Sequence, residues 1–451
     1  FFYENSSTFI SMKKEFPKGS KKLLFAWAFY DWANSVYSLV IASAIFPIYY
    51  QNLFHLANTE TVLVFGGEIR STPLISYVTA AAFLTVALIS PLLSGIADYM
   101  GNKKRFLQFF CYLGALSCMG LYYFDLESIY FSLICYYLTL IGFWGSIVFY
   151  NSYLPDVAFP EQQDRISAQG YSLGYIGSVL LLLFNLAMVM YPHFFGIEAQ
   201  YPAMQAMKIS FLTVGIWWLL FAQYSFYWLP KGVKTAHKIT QRVLLNGYKE
   251  LQKVHHSLVQ NLVLKRYLMA FFVYSMAVQT VMLVATYFGE QEIAWSSDSQ
   301  KTTGLIISIL IIQLVAVVGA TLTAKSSEKW GNIPVLIVIN ALWLAVCIVA
   351  YFIVSPPQFY ITAGVVGLIM GGIQSLSRST YSKFLPETRD TTSYFSFYDV
   401  AEKIGIVVGM SLYGIIDQIT GSMRNSVLFL VLFFFIGILL LRRVPYKNYK
   451  H

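Results

Sequence analysis

With 451 residues, 57% of them hydrophobic and only 12% charged, this chain carries about half the charge of a soluble domain. The same figures exclude disordered and fibrous classes, and the 33 Tyr and 36 Phe suit a polypeptide that meets lipid and its interfaces. The net charge of +9 does not indicate nucleic acid, because the basic residues are not gathered on one domain.

Residues 1–22 form a basic tail in which Met12-Lys13-Lys14 reads like a natural start. Stretches of about 20 mostly apolar residues, enough to cross a bilayer, begin near Leu23, Leu74, Phe106, Ile129, Ser167 and Met207. They define a bundle over 23–230, and the first stretch is too long for a cleavable signal peptide. A polar linker, 231–266, follows. Six more spans, over 267–441, begin near Tyr267, Thr303, Pro334, Tyr360, Tyr394 and Val427, and a short tail, 442–451, ends the chain. The expected fold class is an all-α membrane protein: twelve transmembrane helices in two pseudo-symmetric six-helix bundles.

Basic residues orient the spans. Of 31 Lys and Arg, only Arg70, Lys208, Lys301 and Arg424 fall on one side, while Arg378 and Lys403 lie within spans. The others collect in the tails and in the loops near Lys103, Arg165, Lys231–Arg266, Lys325 and Lys383. Both termini are therefore expected in the cytoplasm, and a bacterial cytoplasmic membrane is the expected location. In the linker, Leu244, Tyr248, Leu251, Leu258 and Leu262 share a helical face opposite a run of lysines. This predicts an amphipathic helix on the inner membrane surface, or a plain connector between bundles.

The two halves echo each other. Asp98-Tyr99-Met100-Gly101-Asn102 follows the second span and Glu328-Lys329-Trp330-Gly331-Asn332 the eighth; Tyr153-Leu154-Pro155 and Phe384-Leu385-Pro386 recur at almost the same offset. Gly101 and Gly331 permit the chain to reverse within a few residues. Asp98 and Glu328 are placed to sit against the positive N-terminus of a neighbouring helix. Together with Lys103 and Lys104 they form a candidate conformational latch. An ordinary cytoplasmic turn is the plainer alternative.

The Asp98…Gly101…Lys103-Lys104 loop resembles the signature loop of the major facilitator superfamily, whose fold is two six-helix bundles. Ala26-Trp27-Ala28-Phe29-Tyr30-Asp31-Trp32-Ala33-Asn34-Ser35 is similar to the first span of one branch, the "unknown major facilitator" proteins and the fungal vacuole effluxer, autophagy-related protein 22. So are Phe149-Tyr150-Asn151-Ser152-Tyr153-Leu154-Pro155-Asp156, Gly174-Tyr175-Ile176-Gly177 and Gln374-Ser375-Leu376-Ser377-Arg378-Ser379. The resemblance implies a secondary transporter, with amino-acid efflux as the branch's best-known activity. This chain departs from the pattern at Ser94, at Tyr99, and at Met276-Ala277, where the branch usually has Asp-Gly before Val278-Gln279-Thr280.

Ionisable residues within spans are costly, so each is a functional candidate. Asp31, Arg378, Asp399, Glu402 and Lys403 qualify. Asp31, Asn34, Ser35 and Ser38 form a polar stripe; Gln374, Ser377, Arg378 and Tyr381 form another; Asp399, Glu402 and Lys403 share a helix face, and Gln279 adds an amide. These stripes are expected to converge on one cytoplasm-facing cavity, in which Arg378 and Lys403 neutralise one acid each. The spare carboxylate, Glu402 or Asp31, would bind a substrate ammonium or carry a coupling proton. A buried ion-pair network that merely holds or gates the spans, with Arg378 paired to Asp399 or Glu402, is the alternative. Gly170, Gly174, Gly177, Gly405 and Gly409 are spaced for close helix packing.

The four cysteines and six histidines show no metal-ligand spacing, so no metal and no cofactor is expected. An enzyme would need paired acidic metal ligands, a nucleophile with its base, or a phosphate loop. A scaffold or sensor would need an extra domain. The partners expected are a small-molecule solute and the lipid bilayer.

Overall fold

The computed structural model describes residues 16–232 and 242–445. Met12, Lys234, Lys238 and the end of the C-terminal tail lie outside the described residues. Spans 1 to 6 are Lys21–Leu56, Ser71–Met100, Lys103–Gly120, Ile129–Asn151, Pro160–Met190 and Pro202–Trp228. After a linker helix, Arg242–Gln260, spans 7 to 12 are Leu262–Glu292, Asp298–Trp330, Asn332–Ala350, Pro356–Phe384, Thr391–Thr420 and Met423–Arg442. Eleven of these are long and apolar enough to cross a membrane. Span 11, of 30 residues, completes the second bundle although Asp399, Glu402 and Lys403 sit in its first half.

Helix ends follow local chemistry. Span 2 stops at Gly101, whose φ of 61° is left-handed and open to glycine without strain. Pro160, Pro202 and Pro356 each open a span at the position where a missing N–H costs nothing. Asn261 separates the linker helix from span 7 and caps the latter by accepting from the Leu264 N–H at 3.1 Å. Several spans start earlier than their apolar runs, span 5 at Pro160 rather than near Ser167, because the helices extend beyond the hydrocarbon into polar residues. Span 7 likewise starts at Leu262, inside the stretch assigned to the linker.

Two features are not foreshadowed by apolar patterning. Residues Tyr37–Ile45 of span 1 are a π-helix, in which the Phe46 N–H bonds the Ile41 carbonyl just before Pro47 removes a donor. A hairpin, Thr61–Val64 with Gly67–Arg70, joins spans 1 and 2.

Each half has its own apolar core, the first around Trp27, Tyr49 and Trp218, the second around Tyr267, Trp343 and Phe434. Between halves, span 5 packs on spans 8 and 10, and span 11 on spans 2 and 4. Part of that contact is small: Ala168 of span 5 meets Ala320 and Ala324 of span 8. The two cores meet along this seam, where Tyr171 and Tyr175 of span 5 pack on the second core and Ile309 and Leu310 of span 8 on the first.

The linker helix buries Gly247, Val254 and Leu258 against the protein, packing on spans 2 and 11. Tyr248 and Leu262 of the expected apolar stripe are instead exposed. The reason is the backbone approach of Gly247 to Gly95 of span 2, where a Cβ on either would collide.

Candidate functional site

Arg378, on span 10, is 2% exposed and reaches across to the first half. Its Nη1 and Nη2 each donate to Asp31 Oδ2 of span 1 at 3.3 Å. Nη1 also donates to Asn151 Oδ1 at 3.2 Å, while Nε and Nη2 donate to the hydroxyl and carbonyl of Ser167, both at 3.0 Å. These contacts use all five donors of a guanidinium. Its carbon stands 4.2 Å from the Tyr171 ring centre and 4.8 Å from that of Trp27. Tyr150 donates to the same Asp31 oxygen at 2.8 Å. Gly170 leaves room for this cluster, since a Cβ there would lie 2.5 Å from Asp31 Oδ2. The alternative pairing of Arg378 with Asp399 or Glu402 is thus corrected. The sequence places Arg378 along its helix, but only packing decides which helix it faces.

Span 11 supplies a second charged group. Lys403 is 1% exposed and donates to Asp399 Oδ1 at 2.7 Å, one turn away, and to Glu402 Oε2 at 3.2 Å. Its ammonium lies 3.8 Å from the centre of the Trp144 ring on span 4. Gln279 of span 7 donates to Glu402 Oε1 at 2.7 Å.

A cavity of about 270 Å³ opens between the halves, below the roughly 300–1,000 Å³ of pockets for drug-sized ligands. Asp31, Asn34, Gln279, Gln374, Arg378 and Glu402 all line it. Asp399 and Lys403 do not, so the five charges do not all converge: those two are sealed behind Glu402. Along each lining helix the polar floor is Asp31, Asn151 and Arg378, and the wall then rises away from the chain termini to Ser43 and Leu283. The cavity therefore does not face the end carrying the termini and linker, and the expectation of a cytoplasm-facing one is corrected.

That end, which carries the termini, is closed by bonds between the halves. Ser167 donates to the Ser375 carbonyl at 2.7 Å, and in the cavity wall above the floor Tyr175 of the first half donates to Gln374 of the second at 2.6 Å. Asp98 accepts the backbone N–H groups of Thr392 at 3.2 Å and Ser393 at 2.6 Å, two otherwise orphaned donors at the start of span 11. Lys103 donates to the Ser152 carbonyl and the Thr391 hydroxyl, each at 2.9 Å, and pairs with Asp156. Lys104 binds the Leu229 carbonyl within its own half at 2.6 Å.

Glu328 departs from the expected latch. It is exposed and bonds no other described residue, whereas Gly331 turns the chain with a φ of 85°. At the corresponding seam the acid is Asp164 of span 5. It accepts from Ser327 at 2.8 Å, Asn332 at 2.9 Å and Lys383 at 2.6 Å, three helix ends of the second half. Asp164 carries no signal in the sequence, because its surroundings look like an ordinary loop. Tyr150 and Asn151 are not among the expected site residues, although both lie in the Phe149–Asp156 motif.

These features sit on a widespread architecture. FucP, crystallised in an outward conformation, superposes with a TM-score of 0.69 at 12% identity, covering 93% of this chain and 97% of that one. XylE, a proton:xylose symporter, gives 0.68 at 13%, covering 94% and 95%. In sequence, the chain is 31% identical over 439 residues to YxiO of Bacillus subtilis, an uncharacterized MFS-type transporter, covering 96% of both. Autophagy-related protein 22 of Saccharomyces cerevisiae is 24% identical over 81% of this chain and 75% of its own length. The family model described as vacuole effluxer Atg22 like matches residues 19–451. The chain therefore belongs to the vacuole effluxer Atg22-like family and is a multi-pass transporter of the major facilitator type, not an enzyme.

Proposed function

We propose that this protein moves a small polar solute, with amino acids the leading candidates for cargo, by alternating access across a bacterial cytoplasmic membrane. The observation that carries the reading is the cavity itself: lined by both halves, with polar side chains set among apolar ones, and floored by the Arg378–Asp31 pair that joins them. Breaking this floor and the bonds beneath it opens a path to the end carrying the termini. The positive-inside distribution supports a cytoplasmic placement of that end, and on this reading the cavity is outward-facing.

Efflux is the direction suggested by the family description. A coupling proton fits a region with three carboxylates and two bases; at the end carrying the termini Asp98 and Lys103 act as the latch, with Gly101 shaping the turn and Lys104 anchoring it to its own half.

The test is flux in proteoliposomes with labelled amino acids, sugars and small amines. A second arm replaces the native cysteines and introduces Ala168→Cys with Ala324→Cys across the seam. Cross-linking this pair is expected to arrest flux, and reduction to restore it. Undiminished flux in the cross-linked protein would rule out opening at the end carrying the termini.

A further inference from the structure

We infer that Glu402 is the recognition point for an ammonium group, so that the cavity selects solutes carrying an amine and asks no carboxylate of them. This rests on the transporter reading above and narrows it to a substrate class.

The inference comes from the state of each charge in and around the cavity. Arg378 has no donor to offer a solute, because Asp31, Asn151 and Ser167 take all five. Lys403 is 1% exposed, does not line the cavity, and is held between Asp399, Glu402 and the Trp144 ring. A solute carboxylate entering the cavity therefore meets no free cation. Arg378 with Asp31, and Lys403 with Asp399, are neutral as pairs. Glu402 is the acid left over.

Glu402 also has the geometry of a contact group. Its side chain is 18% exposed and lines the cavity, while Gln279 fixes Oε1 by a neutral amide at 2.7 Å, which orients the carboxylate without cancelling its charge. Tyr171, Tyr274 and Phe271 line the same cavity and add an aromatic wall to it. An ammonium docked there supplies the charge that Lys403 cannot share between two acids. Amino acids remain admissible through the amine, with their carboxylate contributing little.

The experiment uses the full chain in lipid nanodiscs and compounds matched in framework but not in charge. The sets are putrescine, 1,4-butanediol and succinate; glucosamine, glucose and glucuronate; and leucinamide, leucine and 4-methylpentanoate. Binding is read by the rise in unfolding temperature with concentration. In at least one set the amine is expected to bind roughly 10- to 100-fold more tightly than its uncharged or anionic partner, the span of one charge-assisted hydrogen bond. Glu402→Gln should abolish that preference. Glu402→Asp should keep the preference at weaker affinity, which separates loss of charge from loss of folding, and the exposed Glu198→Gln should change nothing.

No amine preference in any set overturns the inference, whether all compounds bind alike or none binds. So does a preference that survives in Glu402→Gln while only proton-driven flux is lost, since Glu402 would then carry a proton alone. Flux in proteoliposomes separates the two readings. Amines that bind but do not cross would sink the transport reading, and sugars or acids carried equally by wild type and Glu402→Gln would sink this one.

Discussion

The seal at the end carrying the termini has two arms, and pseudo-symmetry would make them alike. Where span 2 meets span 11, Asp98 caps bare backbone N–H groups. Where span 5 meets span 8, Asp164, its side chain 2% exposed, gathers a hydroxyl, an amide and an ammonium from three helix ends. A strict repeat would have put Glu328 of span 8 in the second arm. Instead both acids come from the first half and both sets of donors from the second. The repeated Gly-Asn turn kept a positive-φ glycine, although ψ is 34° at Gly101 and 158° at Gly331, while the charge moved to another helix. A backbone cap accepts any acceptor of the right length, whereas a lysine demands a charge. The arms should therefore differ in their response to the same substitution.

Removing the floor they share should have the largest effect. Arg378→Ala leaves Asp31 buried without its partner, a loss of about 3–5 kcal/mol. A sharply lowered unfolding temperature and near-absent flux are expected. Arg378→Lys should recover only part of either, because an ammonium cannot make the forked contacts. Normal flux in Arg378→Ala would mean that the floor is not the gate.

Next, Asp164→Asn strands Lys383 and should weaken the closed seam by about 2–3 kcal/mol. The yield of the Ala168→Cys and Ala324→Cys cross-link should fall accordingly. Asp98→Asn keeps only one of the two acceptors that the Thr392 and Ser393 N–H groups use and should cost about 1–2 kcal/mol, slowing flux while leaving expression intact. If Asp98→Asn proves the more damaging of the two, the contrast between backbone cap and charged cluster is wrong. Smallest of all is Glu328→Gln, expected to leave flux and unfolding unchanged. An effect equal to that of Asp98→Asn would restore the symmetric latch.

How much could be read from the chain varies from residue to residue. Lys403 with Asp399 was legible, since four residues is one helical turn and the contact is local. Asn34, Gln374 and Gln279 were legible as polar positions on apolar helices and as parts of one cavity wall, although not the end toward which that cavity opens. The linker's amphipathicity was visible, but its docking face was not. Glycine carries no hydropathy, and Gly247 set the approach to span 2. The π-helical stretch of span 1 depends on how Pro47 is accommodated by its neighbours, which composition does not encode.

By itself the sequence determined the class of molecule, the two bundles of helices and the charges that must be satisfied within them. Apolar length and the cost of intramembrane charge are properties of each segment alone. The tertiary structure decided which charges pair, which acid closes the second arm, and toward which end the cavity opens. Arg378 and Asp31 are 347 positions apart, and Asp164 binds Lys383 across 219. A residue's height along its helix follows from its number, but the partner it meets depends on how whole helices rotate and cross, and that is a property of the packed bundle.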